Sequence, residues 1–232
     1  MELDPSSLTM ATAMLAYNRW VPLRAAMQLL PGLGGAIDTL VSGYAGKIQE
    51  QRVQSFLTVL DSRLRELETM VEIEPSEELF DLMRDIFDSV ARTRSESKRR
   101  RFAELVVTKI RTQGDWDDAE IASRLLTELD DPHIEVLDIA YRASSFAESN
   151  RIRPRLVLFQ QHDVQKFDEK QTIDLNSLMK NYPAWKLRLI CADLLSKGFL
   201  LDEGLTMFNA QSMKYFKSTE LSDWFMNWIS KS

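Results

Sequence analysis

The clearest periodicity in the chain is a stripe of aliphatic residues, Val53, Leu57, Leu60, Leu64, Leu67 and Val71, separated by alternating steps of four and three. Such steps return to one side of a helix, so the segment predicts an amphipathic helix with Arg63, Arg65, Glu66 and Glu68 off the seam. The stripe is shorter than the roughly three or four heptads of a free coiled coil and reads as one edge of an intramolecular bundle. Pro75-Ser76 breaks the chain and offers a serine cap to a new helix with the apolar face Leu79, Phe80, Met83, Ile86, Phe87 and Val90. Phe102, Leu105, Val106 and Ile110 form the next face, closed by Gly114 as a C-cap. Asp115 or Asp117 opens a further helix with Ile121, Leu125 and Leu129 inward. Upstream, a helix opening at Pro5-Ser6 runs through Trp20, is kinked at Val21-Pro22 and continues from Leu23 to Leu30. Residues 1–129 are therefore expected to form an all-α bundle.

The pattern changes near Asp130-Asp131-Pro132, and residues 130–232 are expected to form a second domain. Ile134, Val136, Leu137, Ile139, Ala140 and Tyr141 predict a compact helix. Residues 149–171 are polar and irregular around a strand-like island, Leu156 to Phe159. A helix over Ile173 to Lys180 follows, then a turn at Asn181-Tyr182-Pro183 and a helix from Ala184 to Lys197 that stops at Gly198. Trp185, Leu189, Ile190 and Leu194 are read as its buried face. Phe199 to Asp202, a turn at Glu203-Gly204 and an apolar-polar segment up to Phe216 predict a β-hairpin. The last helix carries Leu221, Trp224, Phe225, Trp228 and Ile229 on one stripe.

That succession, together with Leu189 to Leu200 and the threonine-led segment Ser218 to Phe225, resembles the winged-helix form of the helix-turn-helix domain. Ser222 stands where such domains commonly carry a glycine. The resemblance covers about 100 residues and implies a mainly α architecture: a helical bundle followed by a winged-helix-like α/β domain with a small hairpin. It also implies a third helix able to contact DNA or protein. The helical half is loosely similar to uncharacterised bacterial helical proteins, and no activity comes with that likeness.

Five of the eight glycines fall in Pro31 to Gly46. A dinucleotide fingerprint fails there because Ile37 stands at the third glycine position and no strand precedes it; a P-loop fails because Ile48 follows Gly46-Lys47. Gly35, Thr39, Gly43 and Gly46 form a small-residue strip, so the preferred expectation is a helix hairpin packed closely in the bundle. The sharper alternative is an apolar hairpin, residues 25–46, released to perturb a membrane. Asp38 and Pro31 interrupt that segment, which argues against a spanning helix.

Charge narrows the classes of partner. The chain carries a net charge of −6, so a nucleic-acid contact must come from a local patch. Arg92, Arg94, Lys98, Arg99, Arg100 and Arg101 place six cations in ten residues against Glu96. They read first as a solvated helix start paired with neighbouring carboxylates, and second as an anion or nucleic-acid contact. Lys186, Arg188, Lys197 and Lys214 are the corresponding candidates in the second domain. The Leu221, Trp224, Phe225, Trp228 and Ile229 stripe reads as core or as a homodimer interface.

No catalytic constellation emerges. His162-Asp163 lacks further ligands for a metal, and Asp115, Asp117 and Asp118 read as helix caps rather than a calcium loop. Cys191, the single cysteine, lies on an apolar helix face as inert core and excludes an internal disulfide. With no signal-peptide pattern at the N-terminus, the expectation is a cytoplasmic, non-enzymatic interaction or regulatory subunit without cofactor or metal, within a larger prokaryotic complex. A DNA-binding regulator and a membrane-perturbing effector are the alternatives.

Overall fold

The structure, a computed structural model, describes residues 47–67, 77–112, 114–147, 155–158, 172–203 and 212–230. The glycine patch 31–46, the helix expected over Pro5 to Leu30 and the His162-Asp163 pair lie outside those residues. The protein is mainly helical, with N-terminal helices followed by a small mixed four-strand sheet and its helices. The chain divides into two compact units, Met1–Thr127 and Glu128–Ser232.

The first unit is built on α1 (Lys47–Leu67), α2 (Glu77–Arg92), α3 (Glu96–Thr112) and α4 (Trp116–Glu128). The α1 seam is buried at Val53, Leu57, Leu60 and Leu64, and Phe56 joins it from the adjacent position three residues after Val53. The Leu67 side chain and Val71 lie outside the described residues. Phe56 meets Phe87 of α2 edge to face, with ring centroids 5.8 Å apart, a geometry that suits the opposed charge of ring edge and face. On α2, Leu82 is buried and Phe80 only half-buried, because Leu82 sits between Leu79 and Ile86 on the same arc while Phe80 is one residue off it.

One expectation is corrected in this unit. The buried face of α4 is Ala119, Ala122, Ser123 and Leu126, with Ile121 exposed and Leu125 half-buried. Small side chains let this helix approach its neighbours closely, and a reading weighted by side-chain size selects the wrong arc; Leu129 is buried as expected. Helix α3 stops at Thr112, two residues before Gly114; the Gly114 N–H donates to Thr112 Oγ1 at 3.3 Å, and Asp115 Oδ1 accepts the Asp117 N–H at 3.1 Å to open α4.

The second unit contains α5 (Asp131–Ala147), β1 (Arg155–Val157), β2 (Thr172–Asp174), α6 (Leu175–Leu178), α7 (Ala184–Ser196), β3 (Leu200–Asp202), β4 (Tyr215–Ser218) and α8 (Glu220–Ile229). The sheet order is β2-β1-β4-β3. β1 and β2 are parallel, with Leu156 opposite Ile173; β4 runs antiparallel to both β1 and β3, with Phe216 opposite Leu156 and Lys217 opposite Leu201. The helix expected from Ile173 begins later, because Ile173 is committed to the strand and the Asp174 carboxylate accepts the Asn176 N–H at 3.0 Å as a cap. The second hairpin strand also lies further along than expected, ending at Ser218 rather than Phe216.

Thr219 caps α8 and donates its hydroxyl to Gly198 O at 2.8 Å, while the buried Ser222 hydroxyl donates to Phe199 O. These bonds tie the start of α8 to the chain leaving α7. Phe199 and Phe225 stack beside them with centroids 5.2 Å apart, and Tyr141 of α5 donates to Asn227 of α8 at 2.5 Å. Apolar packing and hydrogen bonds together hold α8 against α5 and against the chain leaving α7.

Candidate functional site

Helix α7 is apolar nearly all round, and the side chosen for burial decides what it can present. Leu187, Ile190, Cys191 and Leu194 follow the i, i+3, i+4, i+7 rule and are buried. At about 100° per residue, Trp185 and Leu189 project from the opposite side. They are 68% and 63% exposed. The expected buried face, Trp185, Leu189, Ile190 and Leu194, therefore combined two opposite arcs; Ile190 and Leu194 are core, whereas Trp185 and Leu189 are surface. Leu178, at the end of α6 and just across the Met179–Pro183 turn, is 59% exposed.

The ends of α7 hold that face in place. Pro183 opens the helix in extended conformation, and the Leu187 N–H donates back to its carbonyl. At the other end Gly198 has φ of +80°. Its N–H donates to Leu195 O and the Phe199 N–H to Leu194 O, the paired reversal that a left-handed glycine permits. The expected stop at Gly198 is thus explained at atomic level.

Cations flank the apolar stripe. Lys186 and Arg188, both half-buried, lie on opposite sides of the Trp185–Leu189 line by helical geometry. Lys186 Nζ sits 5.2 Å from the centroid of the Tyr182 ring. Among the described residues, neither Arg188 nor the exposed Lys180 has an ion-pair partner. Lys197, by contrast, is bound to Glu128 at 3.0 Å, and that hydrogen bond is the main reason its ammonium is held above the ordinary lysine value. Lys214 is half-buried at the base of β4, where its carbonyl accepts the Leu158 N–H.

The basic run of the first unit is spent largely on its own helices. Lys98 is buried, with Nζ donating to Thr127 O at 2.7 Å, and so is not a surface cation. Arg99 donates to the carbonyls of Thr93 and Arg94, and Arg52 to those of Ala91 and Arg92, so two guanidiniums satisfy the carbonyls around the α2–α3 turn. Arg100 pairs with Glu96 one turn away at 2.5 Å. Arg101 is half-buried, and Arg94 is exposed. The six cations do not converge on one site.

The α8 stripe divides between buried and half-buried positions. Phe225, Trp228 and Ile229 are buried within the second unit itself. Leu221 and Trp224 are half-buried, with Leu221 3.7 Å from where a Gly198 Cβ would stand and Trp224 edge-on to Trp228.

Chemistry at the remaining groups is quiet. His133 of α5 lies within 3.3 Å of Asp193 Oδ2 through Nε2, while Nδ1 accepts the Asp130 N–H at 3.3 Å. That pairing needs the neutral ring. Burial pushes the His133 pKa below its ordinary 6.5; Asp193 and Asp130 oppose the shift and Lys197 reinforces it. The unfolded chain therefore takes up this proton first, so the imidazole's contribution to stability is present above about pH 6.5 and is lost as pH falls through the folded value. Urea midpoints measured between pH 7.5 and 5 are expected to fall more steeply for the native chain than for His133→Asn. Among the described residues no three His, Cys, Asp or Glu side chains are grouped to hold a metal ion, and no helix is long and apolar enough to cross a membrane.

Comparison with protein-family models, curated proteins and solved structures finds no match for this chain. The α7 face thus stands on its own geometry.

Proposed function

We propose that the protein is a non-catalytic interaction or regulatory subunit whose second unit is a winged-helix-like module docking protein through the outer face of α7. The single observation carrying this reading is the exposure of Trp185 and Leu189 one turn apart on that helix. The order of helices and strands, the β3–β4 hairpin and the threonine cap of α8 support the winged-helix likeness, in which α7 is the third helix. A DNA-reading helix places hydrogen-bonding side chains against base edges. Here Trp185, Leu189 and Ala192 occupy that arc instead, and large apolar groups left facing water mark protein contacts. The single cysteine fits work in a reducing cytoplasm.

Lys180 and Arg188, without an ion-pair partner among the described residues, favour one second reading, a DNA-binding regulator. Retention on immobilised duplex DNA separates the two. Interaction through the apolar face predicts no retention even at about 50 mM salt, where phosphate contacts are strong. Salt-sensitive retention abolished by Lys186→Glu with Arg188→Glu would replace the protein-docking reading with the DNA one.

A further inference from the structure

Resting on the reading just given, we propose that the α7 face receives an acidic amphipathic helix from a partner protein. Trp185 and Leu189 are spaced four residues apart, about 6 Å along the axis, which matches the anchor spacing on one face of a docking helix. Leu178, across the turn, extends the apolar surface. Cations predominate along the stripe: residues 178–192 contain Lys180, Lys186 and Arg188 and no Asp or Glu. Two carboxylates lie at its margin, Asp193 held by His133 and Glu135 of α5 held by the Tyr182 hydroxyl. An apolar strip between rows of cations is complementary to a helix with Leu, Phe or Met along one face and Asp or Glu on its flanks.

The same charges select against other occupants. A second copy packed face to face would bring Lys180, Lys186 and Arg188 toward their own equivalents. A nucleic acid would satisfy the cations but leave Leu178 and Leu189 without an apolar partner, since only the Trp185 ring offers a stacking surface. A neutral helix would use the strip and ignore the cations.

The test pans a display library of 16-residue helical peptides against the full chain, with Trp185→Ala/Leu189→Ala and Lys180→Glu/Lys186→Glu/Arg188→Glu as parallel baits. These side chains are exposed or half-buried, and unchanged circular dichroism verifies that each bait is folded. The expected result is enrichment of peptides with apolar residues at i, i+3 or i+4, and i+7 and acidic residues beside them. Affinity of a recovered peptide is expected to fall about tenfold or more on each variant. Enriched peptides that lack acidic residues and bind the charge-reversed bait equally would overturn this inference yet leave a protein-docking face intact. Failure to enrich any peptide, with a single-stranded oligonucleotide bound instead through Trp185, would overturn both. Self-association lost in the Trp185→Ala/Leu189→Ala chain would assign the face to a second copy.

Discussion

Phe199→Ala is expected to lower the stability of the second unit by about 3–5 kcal/mol, whereas Trp185→Ala is expected to change it by no more than about 0.5 kcal/mol. Both are aromatic residues beside or within the same helix, and a sequence reading treats them alike. Phe199 is fully buried against Phe225, directly after the glycine that ends α7, and its carbonyl accepts bonds from Thr219 and Ser222. Removing the ring leaves a cavity in an environment whose backbone is pinned by those bonds, so little collapse can offset the loss. Trp185 has only its edge of contact with the unit to lose. Urea unfolding of the full chain, followed by circular dichroism, measures both. Comparable losses at the two positions would mean that Trp185 belongs to the core.

Native Cys191 is expected to react with an aromatic disulfide reagent at pH 8 more slowly than the unfolded chain by on the order of a thousandfold. The thiol is fully buried on the inner arc of α7, and burial alone pushes its pKa from 9.0 up to about 12. Only the thiolate attacks, so the reactive population falls with that shift, and the surrounding Leu187, Ile190 and Leu194 also exclude the reagent. The colour change should appear only as urea unfolds the second unit. Rapid stoichiometric labelling of the folded chain would contradict both the placement of Cys191 and the non-nucleophilic role assigned to it.

Much of the fold is legible in the residue pattern. The α1 seam, the helical first unit, the stop at Gly198 and the hairpin after it follow from periodicity and from the backbone freedom of one glycine. The errors share a physical origin. On α4 the buried face is made of Ala119, Ala122 and Ser123, whose small size carries no hydrophobic signal although close packing needs it. On α7 the difficulty is an excess of apolar residues. Periodicity can place Trp185 with Leu189 and Leu187 with Ile190, but it cannot say which pair meets the sheet until β3 and β4 are in position. The basic run 92–101 shows the same limit for charge: Lys98 and Arg99 find backbone carbonyls brought near by the α2–α3 turn and by Thr127, partners that composition cannot reveal. The surface that remains, Trp185 and Leu189 between Lys186 and Arg188, becomes visible only once the core has taken its share.

Acrylamide quenching of tryptophan fluorescence tests the exposed α7 face most directly, by comparing the native chain with Trp185→Phe. The substitution is expected to remove a steeply quenched, long-wavelength component of the emission, since Trp185 is the most exposed indole among the described residues. Emission and quenching unchanged by Trp185→Phe would show that the indole is not at the surface, and the docking face built on it would fall.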